Sequence, residues 1–210
     1  GMPIVYAQLS SIDRPSWPLF RDSQRRLQQK VSNAYMAVTS DLGDSLDVHP
    51  RNKRPVGERM ARRALHNIYG FESVMPAGPE PLAAQRVGRT IAITFANADT
   101  LMASDGGEII TFEVASSDGV FHPATATVTS NNEITVSNMD TPCPRYVRYG
   151  WQPFTRANLV NGEGLPATTF SIEAPDADTA PESGIECGVS APFAACLPDG
   201  RLLMAGGCNF

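Results

Sequence analysis

Short stretches in which apolar and polar residues alternate make up most of the chain beyond residue 82. Alternation with a period of two is typical of β-strands that bury one face. Turn signals such as Ser117-Asp-Gly119 separate the stretches at intervals of roughly ten residues, as in antiparallel β-sandwiches. The pattern therefore predicts an antiparallel, sandwich-like β domain over residues 76–174. The predicted strands are Thr90–Phe95, Ile109–Val114, Ala124–Val128, Ile134–Val136 and Tyr146–Tyr149.

Residues 1–75 show strand and helix signals in alternation. Ile4–Leu9 and Tyr35–Thr39 are apolar runs of strand length, and the second is apolar enough for a central strand of a parallel sheet. Each is followed by apolar residues near helical spacing, which predict one helix of about three turns and a second helix from about Pro55. This order predicts an α/β fold, so the whole chain is expected to be α/β plus β. The apolar positions of the two predicted helices are Leu19, Phe20, Leu27 and Val31, and Val56, Met60, Ala64, Leu65 and Ile68.

Segments rich in proline, glycine and polar residues mark the predicted domain boundaries. Met75–Pro81 separates the α/β pattern from the β pattern. Residues 174–184 form a polar stretch that predicts a linker. The predicted domains are therefore residues 1–75, 76–174 and 175–210. The last of these is a linker with one strand signal near its end, which we interpret as the truncated start of a further domain.

The composition limits the kinds of partner that the chain can have. It is 42% hydrophobic and 19% charged, with a net charge of −5. Of its 17 Lys and Arg residues, 11 fall in the first 63 positions, but acidic residues are interspersed and no aromatic residues alternate with the arginines. We therefore expect no binding to nucleic acid. No apolar run approaches the length of a membrane span, so no membrane association is expected.

The four cysteines are Cys143, Cys187, Cys196 and Cys208. They have no Cys-x-x-Cys spacing and no neighbouring His, which argues against a zinc site and leaves disulfide pairing open. No cofactor is expected.

The segment Asp41–Pro50 gathers acidic, basic and turn residues between an apolar run and an Arg-rich helix. His49 has carboxylates two and five residues before it in the sequence. An esterase needs such a carboxylate to orient its general-base His and to stabilise the charge that the ring acquires. His49 is therefore the candidate base, with Asp47 as the nearer candidate for its carboxylate partner and Asp44 as the next. A loop His held by a local hydrogen bond is the non-catalytic interpretation. Asp41 is interpreted as structural.

A series of short matches, in order along the chain, resembles the sialate O-acetylesterase family of SGNH-type hydrolases. The matches span roughly residues 3–172, which makes them more specific than a single short motif. The resemblance implies that residues 1–75 are the C-terminal part of an SGNH-type α/β catalytic domain and that the β domain packs beside it. The matching segments are Val5-Tyr-Ala-Gln8-Leu9, Trp17 with Arg21 and Gln24, Met36-Ala-Val-Thr-Ser-Asp-Leu-Gly-Asp44, Val48-His-Pro-Arg-Asn-Lys53, Val56-Gly-Glu-Arg59, Val147-Arg-Tyr-Gly-Trp151, and Asn158-Leu-Val-Asn161 with Gly164-Leu-Pro-Ala167.

The resemblance also implies a substrate, an absent nucleophile and a location. The substrate would be O-acetylated sialic acid or a related glycan. Family members carry their nucleophilic Ser far upstream, so this chain is expected to lack it and to be inactive alone. They typically place an Asp three residues before the His, where this chain has Leu46. They are commonly exported, which implies an extracellular or periplasmic location and permits disulfides.

The extreme C-terminus resembles a different family. Gly188-Val-Ser-Ala-Pro-Phe193 with Leu202–Phe210 looks like the start of a kelch-type sialic acid mutarotase or epimerase. This resemblance implies a parent protein in which the esterase is fused to a sugar epimerase domain.

The letters Gly43-Asp-Ser-Leu46 match the nucleophile block that names GDSL hydrolases, which gives a rival interpretation. In that block the Ser precedes the catalytic His by most of a domain, whereas Ser45 and His49 are four residues apart. Placing both productively from one short loop is difficult, so Ser45 is interpreted as an ordinary turn residue. His66 and His122 are interpreted as surface residues.

The leading hypothesis is a part of a carbohydrate esterase that removes O-acetyl groups by Ser-His-Asp chemistry. An alternative from another class is a non-catalytic carbohydrate-binding or scaffolding fragment whose functional part is the β domain. The partial α/β region could also be completed by exchange with a second copy, which would produce a homo-oligomer.

Overall fold

The computed structural model describes residues 1–177, together with the backbones of Phe193–Cys196 and Leu202–Ala205. Contacts between residues divide the chain into two compact units, Gly1–Pro175 and Asp176–Phe210. In the second unit the two described segments pair as antiparallel strands. Most of the stretch that resembles the start of an epimerase lies outside the described residues. No helix in the described ranges is long and apolar enough to cross a bilayer.

The chain begins with a parallel strand pair joined through a helix, as the sequence predicts. The elements are β1 (Ile4–Ala7), α1 (Trp17–Lys30), β2 (Ala34–Ala37) and α2 (Arg54–Asn67). The two strands run parallel, with Ile4 opposite Ala34 and Ala7 opposite Ala37. Because a parallel pair needs a long crossover, α1 is the connection that this pairing requires. The carboxyl ends of both strands therefore lie at one edge, where the loop carrying His49 follows β2.

Helix α1 buries its polar face and exposes its apolar one. Arg21, Asp22 and Arg25 are buried, whereas Phe20 is 55% and Leu27 46% exposed. Buried charges persist in proteins when they are paired and hydrogen-bonded, and here Arg25 Nε donates to Asp22 Oδ1 at 2.8 Å. The apolar spacing thus predicts the helix but not the face on which it packs.

Two four-stranded antiparallel sheets and one short strand pair follow. Their strands are β3 (Glu80–Val87), β4 (Thr90–Ala96), β5 (Leu101–Ala103), β6 (Phe112–Ala115), β7 (Phe121–Pro123), β8 (Thr125–Ser130), β9 (Glu133–Ser137), β10 (Tyr146–Tyr149), β11 (Leu159–Asn161) and β12 (Phe170–Glu173). The first sheet has the order β3-β4-β9-β8 and the second β12-β10-β6-β7, while β5 pairs with β11. The described part of the chain is therefore mostly sheet with few helices, as the alternating pattern predicts.

Side chains from both sheets meet in a single hydrophobic core. Ile91 and Ile93 come from the first sheet, and Phe112, Tyr149 and Phe170 come from the second. The ring centroids of Phe112 and Tyr149 lie 4.7 Å apart, and those of Tyr149 and Phe170 lie 5.9 Å apart. Burial raises the pKa of the Tyr149 phenol well above its ordinary value, so the ring enters the core uncharged.

The segment Met75–Pro81, which the sequence marks as a boundary, is packed rather than exposed. Ala77, Gly78 and Pro79 are buried, and β3 already begins at Glu80. Asn161 Nδ2 donates to the Ala77 carbonyl at 3.0 Å. The proline and glycine content of this segment reflects close packing against residues 161–166.

Gly78 packs directly against backbone. A Cβ at this position would lie 2.0 Å from the Pro166 carbonyl oxygen. We therefore expect Gly78→Ala to lower the free energy of unfolding by about 1–3 kcal/mol, because the clash is with main chain that no side-chain rotation relieves. Urea denaturation followed by circular dichroism measures this change.

Gly57 supplies the matched control. It lies in α2, and no atom lies within 4 Å of the position that a Cβ would occupy, so an added methyl group meets open space. Gly57→Ala should raise stability by about 0.5–1 kcal/mol, because alanine is the better helix former. Equal effects of the two substitutions would contradict the close packing at Gly78.

Candidate active site

The loop that follows β2 is fixed by hydrogen bonds to the segment that follows β1. Ser11 Oγ donates to the Ser40 carbonyl at 2.6 Å, and the Ser11 N–H donates to the Leu42 carbonyl at 2.9 Å. Ser10 Oγ donates to the Val48 carbonyl, directly before His49. The two segments that leave the carboxyl ends of the parallel strands therefore hold each other. In α/β sheets this edge is where ligands bind.

His49 and Asp47 form a hydrogen-bonded pair on this loop. His49 Nδ1 lies 2.9 Å from Asp47 Oδ1, and the same oxygen accepts the His49 N–H at 2.9 Å. The side chains are 79% and 59% exposed. The His49 backbone N–H and then its ring lower the pKa of the Asp47 carboxyl below its ordinary value, so it is charged at neutral pH.

This geometry leaves the other ring nitrogen available for chemistry. With Nδ1–H donating to Asp47, Nε2 of the neutral ring is an acceptor. Within the described part of the chain, Nε2 makes no hydrogen bond. A ring held in one tautomer and open at Nε2 can take a proton from an approaching hydroxyl, which is the task of a general base.

Asp44 and Asp41 make other contacts. Asp44 Oδ1 accepts the Leu46 N–H at 2.9 Å, a local turn bond, and Asp44 makes no hydrogen bond or ion pair with the imidazole among the described residues. Asp41 accepts two hydrogen bonds from Arg59, at 2.6 and 2.7 Å. Arg59 also donates to the Val38 carbonyl at 2.9 Å. Asp41 thus connects the loop to α2. Which carboxylate is the catalytic partner stays a prediction, and the hydrogen bond to the imidazole favours Asp47 over Asp44.

Gly43 and Ser45 contact the segment that follows β1 through backbone atoms. Gly43 has φ +96°, and a Cβ there would lie 2.5 Å from the Ser11 carbonyl oxygen, so only glycine fits. The Ser45 carbonyl accepts the Asp13 N–H at 3.0 Å. Of the four letters Gly43-Asp-Ser-Leu46, the glycine is therefore required by the packing of the loop.

Arg21 anchors a distant loop beside this site, a role that sequence reasoning missed. Its side chain is completely buried and donates to the carbonyls of Gly150, Gln152 and Pro153 at 2.9, 2.6 and 2.9 Å. Burial lowers the pKa of its guanidinium to about 10, which leaves it protonated at neutral pH. The Thr155 N–H of the same loop donates to Ser11 Oγ at 3.3 Å. The loop over residues 150–156 is thus joined to the segment that holds the His49 loop.

No family model matches this chain, and no curated protein gives a significant match. Among solved structures, the crystal structure of XAC1771, described as a novel carbohydrate acetylesterase from Xanthomonas citri, has a TM-score of 0.74 and 32% sequence identity to this chain. This chain is similar to part of a carbohydrate acetylesterase. The match covers 81% of this chain and 40% of XAC1771, so the chain spans less than half the length of that protein. The similarity supports a relationship to carbohydrate esterases.

The other two histidines make no hydrogen bond to the loop that carries His49 in the described part of the chain. His66 Nδ1 lies 2.8 Å from the Val74 carbonyl oxygen, and His122 lies in the edge strand β7. Among the described residues, no group of three or more His, Cys, Asp or Glu side chains is arranged to hold a metal ion.

Proposed function

We propose that this chain is part of a carbohydrate esterase that removes O-acetyl groups from a glycan by Ser-His-Asp chemistry. The observation that carries the proposal is the His49 Nδ1 to Asp47 Oδ1 contact of 2.9 Å, at the carboxyl edge of the parallel strands. The similarity to a carbohydrate acetylesterase supports the substrate class. The SGNH-type catalytic domain and the β-sandwich description belong to the same proposal, and the parallel strand pair and the shared core of the two sheets fit them.

The proposed reaction has two steps. His49 Nε2 takes the proton of a serine hydroxyl supplied from outside these residues, and the serine oxygen attacks the acetyl carbonyl carbon. The C–O bond to the sugar then breaks, and the imidazolium returns the proton to the departing sugar oxygen. A water molecule, deprotonated by the same nitrogen, then attacks the acyl carbon; the C–O bond to serine breaks, and the imidazolium returns the proton to the serine oxygen as acetate leaves. Asp47 stabilises the imidazolium in both steps because its carboxylate is hydrogen-bonded to Nδ1, on the side of the ring opposite Nε2.

The proposed substrate is O-acetylated sialic acid or a related glycan. Acetate release by the full-length protein from O-acetylated sialic acid and from acetylated xylan tests this directly. We expect the sialic acid ester to give the higher kcat/KM. Faster release from the xylan would assign another glycan and leave the esterase chemistry in place.

We also propose an extracellular or periplasmic location. The chain carries four cysteines, and disulfides among them could form and persist in an oxidising compartment. Cell fractionation with an antibody against the protein tests the location.

The isolated 210-residue chain should hydrolyse 4-nitrophenyl acetate at less than about 1/1000 of the full-length rate, because it lacks the proposed nucleophile. Initial rates of nitrophenolate release measure this. Ser45→Ala in the full-length protein is the control and should leave the rate unchanged. Robust hydrolysis by the isolated chain that Ser45→Ala abolishes would instead support the GDSL interpretation.

A further inference from the structure

An open groove of about 900 Å³ lies at one edge of the two sheets. Every residue from Pro123 to Val128 lines the groove, so it borders β8, the edge strand of its sheet. Residues 107–113 also line the groove, and Gln152, Phe154 and Arg156 contribute from the loop that Arg21 anchors. The volume falls within the range of small-molecule binding sites.

The wall over residues 107–111 is held in place by a buried side chain. Asn158 Oδ1 accepts the Ile110 N–H at 3.0 Å, and Asn158 Nδ2 donates to the Glu108 carbonyl at 2.8 Å and to Asp105 Oδ1 at 3.2 Å. Thr111, in the same wall, has φ +72°, which is a strained conformation for a β-branched residue. Such strain persists where the surrounding structure enforces it and is concentrated at functional sites. The wall is therefore preorganised.

The lining combines fixed polar groups with an aromatic ring. Glu113 is held by Arg148, with Nε donating to Oε2 at 2.8 Å and Nη2 to Oε1 at 3.3 Å. Arg148 is itself stacked over Phe121, at 3.9 Å from the ring centroid. A carboxylate fixed in this way keeps further lone pairs for hydroxyl donors. Phe154, which is half-buried, supplies an apolar ring on which the C–H face of a sugar can pack.

Two lining side chains, Gln152 and Arg156, have N–H groups that make no hydrogen bond to a described residue. Arg156 is exposed and makes no ion pair with any residue in the described ranges. Gln152 uses its side-chain oxygen to accept from Thr155 Oγ1 at 3.4 Å, while its amide nitrogen makes no hydrogen bond to a described residue. A guanidinium and an amide with free N–H groups match the hydroxyl and carboxylate oxygens of an acidic glycan.

The groove is connected to the candidate active site through one short chain of contacts. The groove residues Gln152, Phe154 and Arg156 flank Thr155, whose N–H donates to Ser11 Oγ. Ser11 Oγ in turn donates to the Ser40 carbonyl in the loop that carries His49. One residue, Ser11, thus supports both the loop that lines the groove and the loop that carries His49.

We propose that this groove binds the sugar residues of the glycan that lie beyond the acetylated one. The inference rests on the proposed function, because it names the subsite that an extended substrate would use. An edge strand such as β8 can also pair with a peptide, but the fixed carboxylate, the unpaired guanidinium and the half-buried ring favour a sugar. The groove thus makes the esterase selective for oligosaccharides over single sugars.

Calorimetric titration of the full-length protein tests the proposal, with His49→Ala introduced to prevent turnover. The probes are sialyllactose with free sialic acid, xylotetraose with xylose, and a threonine-rich peptide. We expect one oligosaccharide to bind at least about 10-fold more tightly than its monosaccharide, and Phe154→Ala and Arg156→Ala each to remove most of that advantage. Arg89→Ala, in the turn between β3 and β4, should leave the advantage unchanged.

Three outcomes would overturn the proposal: equal affinities for oligosaccharide and monosaccharide, no binding of either oligosaccharide, or binding of the peptide alone. Arg156 is exposed, so its variant reports on binding even if Phe154→Ala perturbs folding. Acetate release by the wild-type protein separates this test from that of the proposed function. Esterase activity without an oligosaccharide preference refutes the groove alone, whereas the preference without esterase activity refutes the function alone.

Discussion

Replacing His49 by Gln in the full-length protein should lower kcat for acetyl-ester hydrolysis by a factor on the order of 10⁴ to 10⁶, with little change in KM. The substitution removes the nitrogen that would accept the serine proton, while glutamine keeps a side chain of similar length. The imidazole is 79% exposed, so the free energy of unfolding should change by less than about 0.5 kcal/mol. Initial rates of acetate release, with urea denaturation of the same preparation, measure both quantities. A variant that retains one tenth of the wild-type rate would end the assignment of His49 as base.

Asp47→Asn and Asp44→Asn form a matched pair that identifies the carboxylate partner. Asp47→Asn should lower kcat by about 10²- to 10⁴-fold, because the amide cannot stabilise the imidazolium and its nitrogen disfavours the required tautomer. Asp44→Asn keeps an oxygen that can accept the Leu46 N–H, so its rate should stay within about threefold of wild type. The opposite ranking would assign the role to Asp44.

Arg21→Met should lower the free energy of unfolding by about 3–5 kcal/mol, the largest stability effect that we expect in this chain. Methionine fills much of the same space but removes the Arg21 donor from the half-buried carbonyls of Gln152 and Pro153 and one of two donors from the buried Gly150 carbonyl. An unsatisfied buried carbonyl costs about 1–3 kcal/mol. Urea denaturation of the full-length protein measures the change.

Arg26 provides the comparison on the same helix. Its side chain is 53% exposed and pairs with Asp22 at 3.2 Å, so Arg26→Met should cost less than about 1 kcal/mol. Arg21→Lys should lie between the two, because lysine keeps the charge but cannot reach three diverging acceptors as a planar guanidinium does. If Arg21→Met and Arg26→Met had equal effects, the anchoring role of Arg21 would be wrong.

Local patterns predict most elements of this fold but not how the elements face one another. The apolar spacing of Phe20 and Leu27 places α1 correctly, yet those side chains are exposed and Arg21 is buried. The acceptors of Arg21 lie more than 120 residues further along the chain, so no pattern within the helix contains the information. For the same reason Gly78 resembles a linker residue in sequence, although its neighbour is the backbone of Pro166.

In the candidate site, too, the sequence predicts the local contact between His49 and Asp47 but not the groove, which is built from distant segments. His49 and Asp47 are two residues apart, so their contact follows from the turn that both occupy, and the spacing alone suggests it. The groove is assembled from three segments that are distant in sequence, around residues 110, 125 and 154. Strand pairing and the side-chain hydrogen bonds of Asn158 and Arg21 bring them together, so sequence analysis could not indicate the groove.

The burial of Arg21 also limits how the protein can be divided. Its cation lies in the α/β segment, whereas every carbonyl that it satisfies belongs to the segment after β10. A gene cut before codon 76 would therefore produce one polypeptide with an unpaired buried cation and another in which the Gln152 and Pro153 carbonyls lack the Arg21 donor. The segments before and after residue 76 are therefore expected to be inherited, expressed and engineered as a single polypeptide.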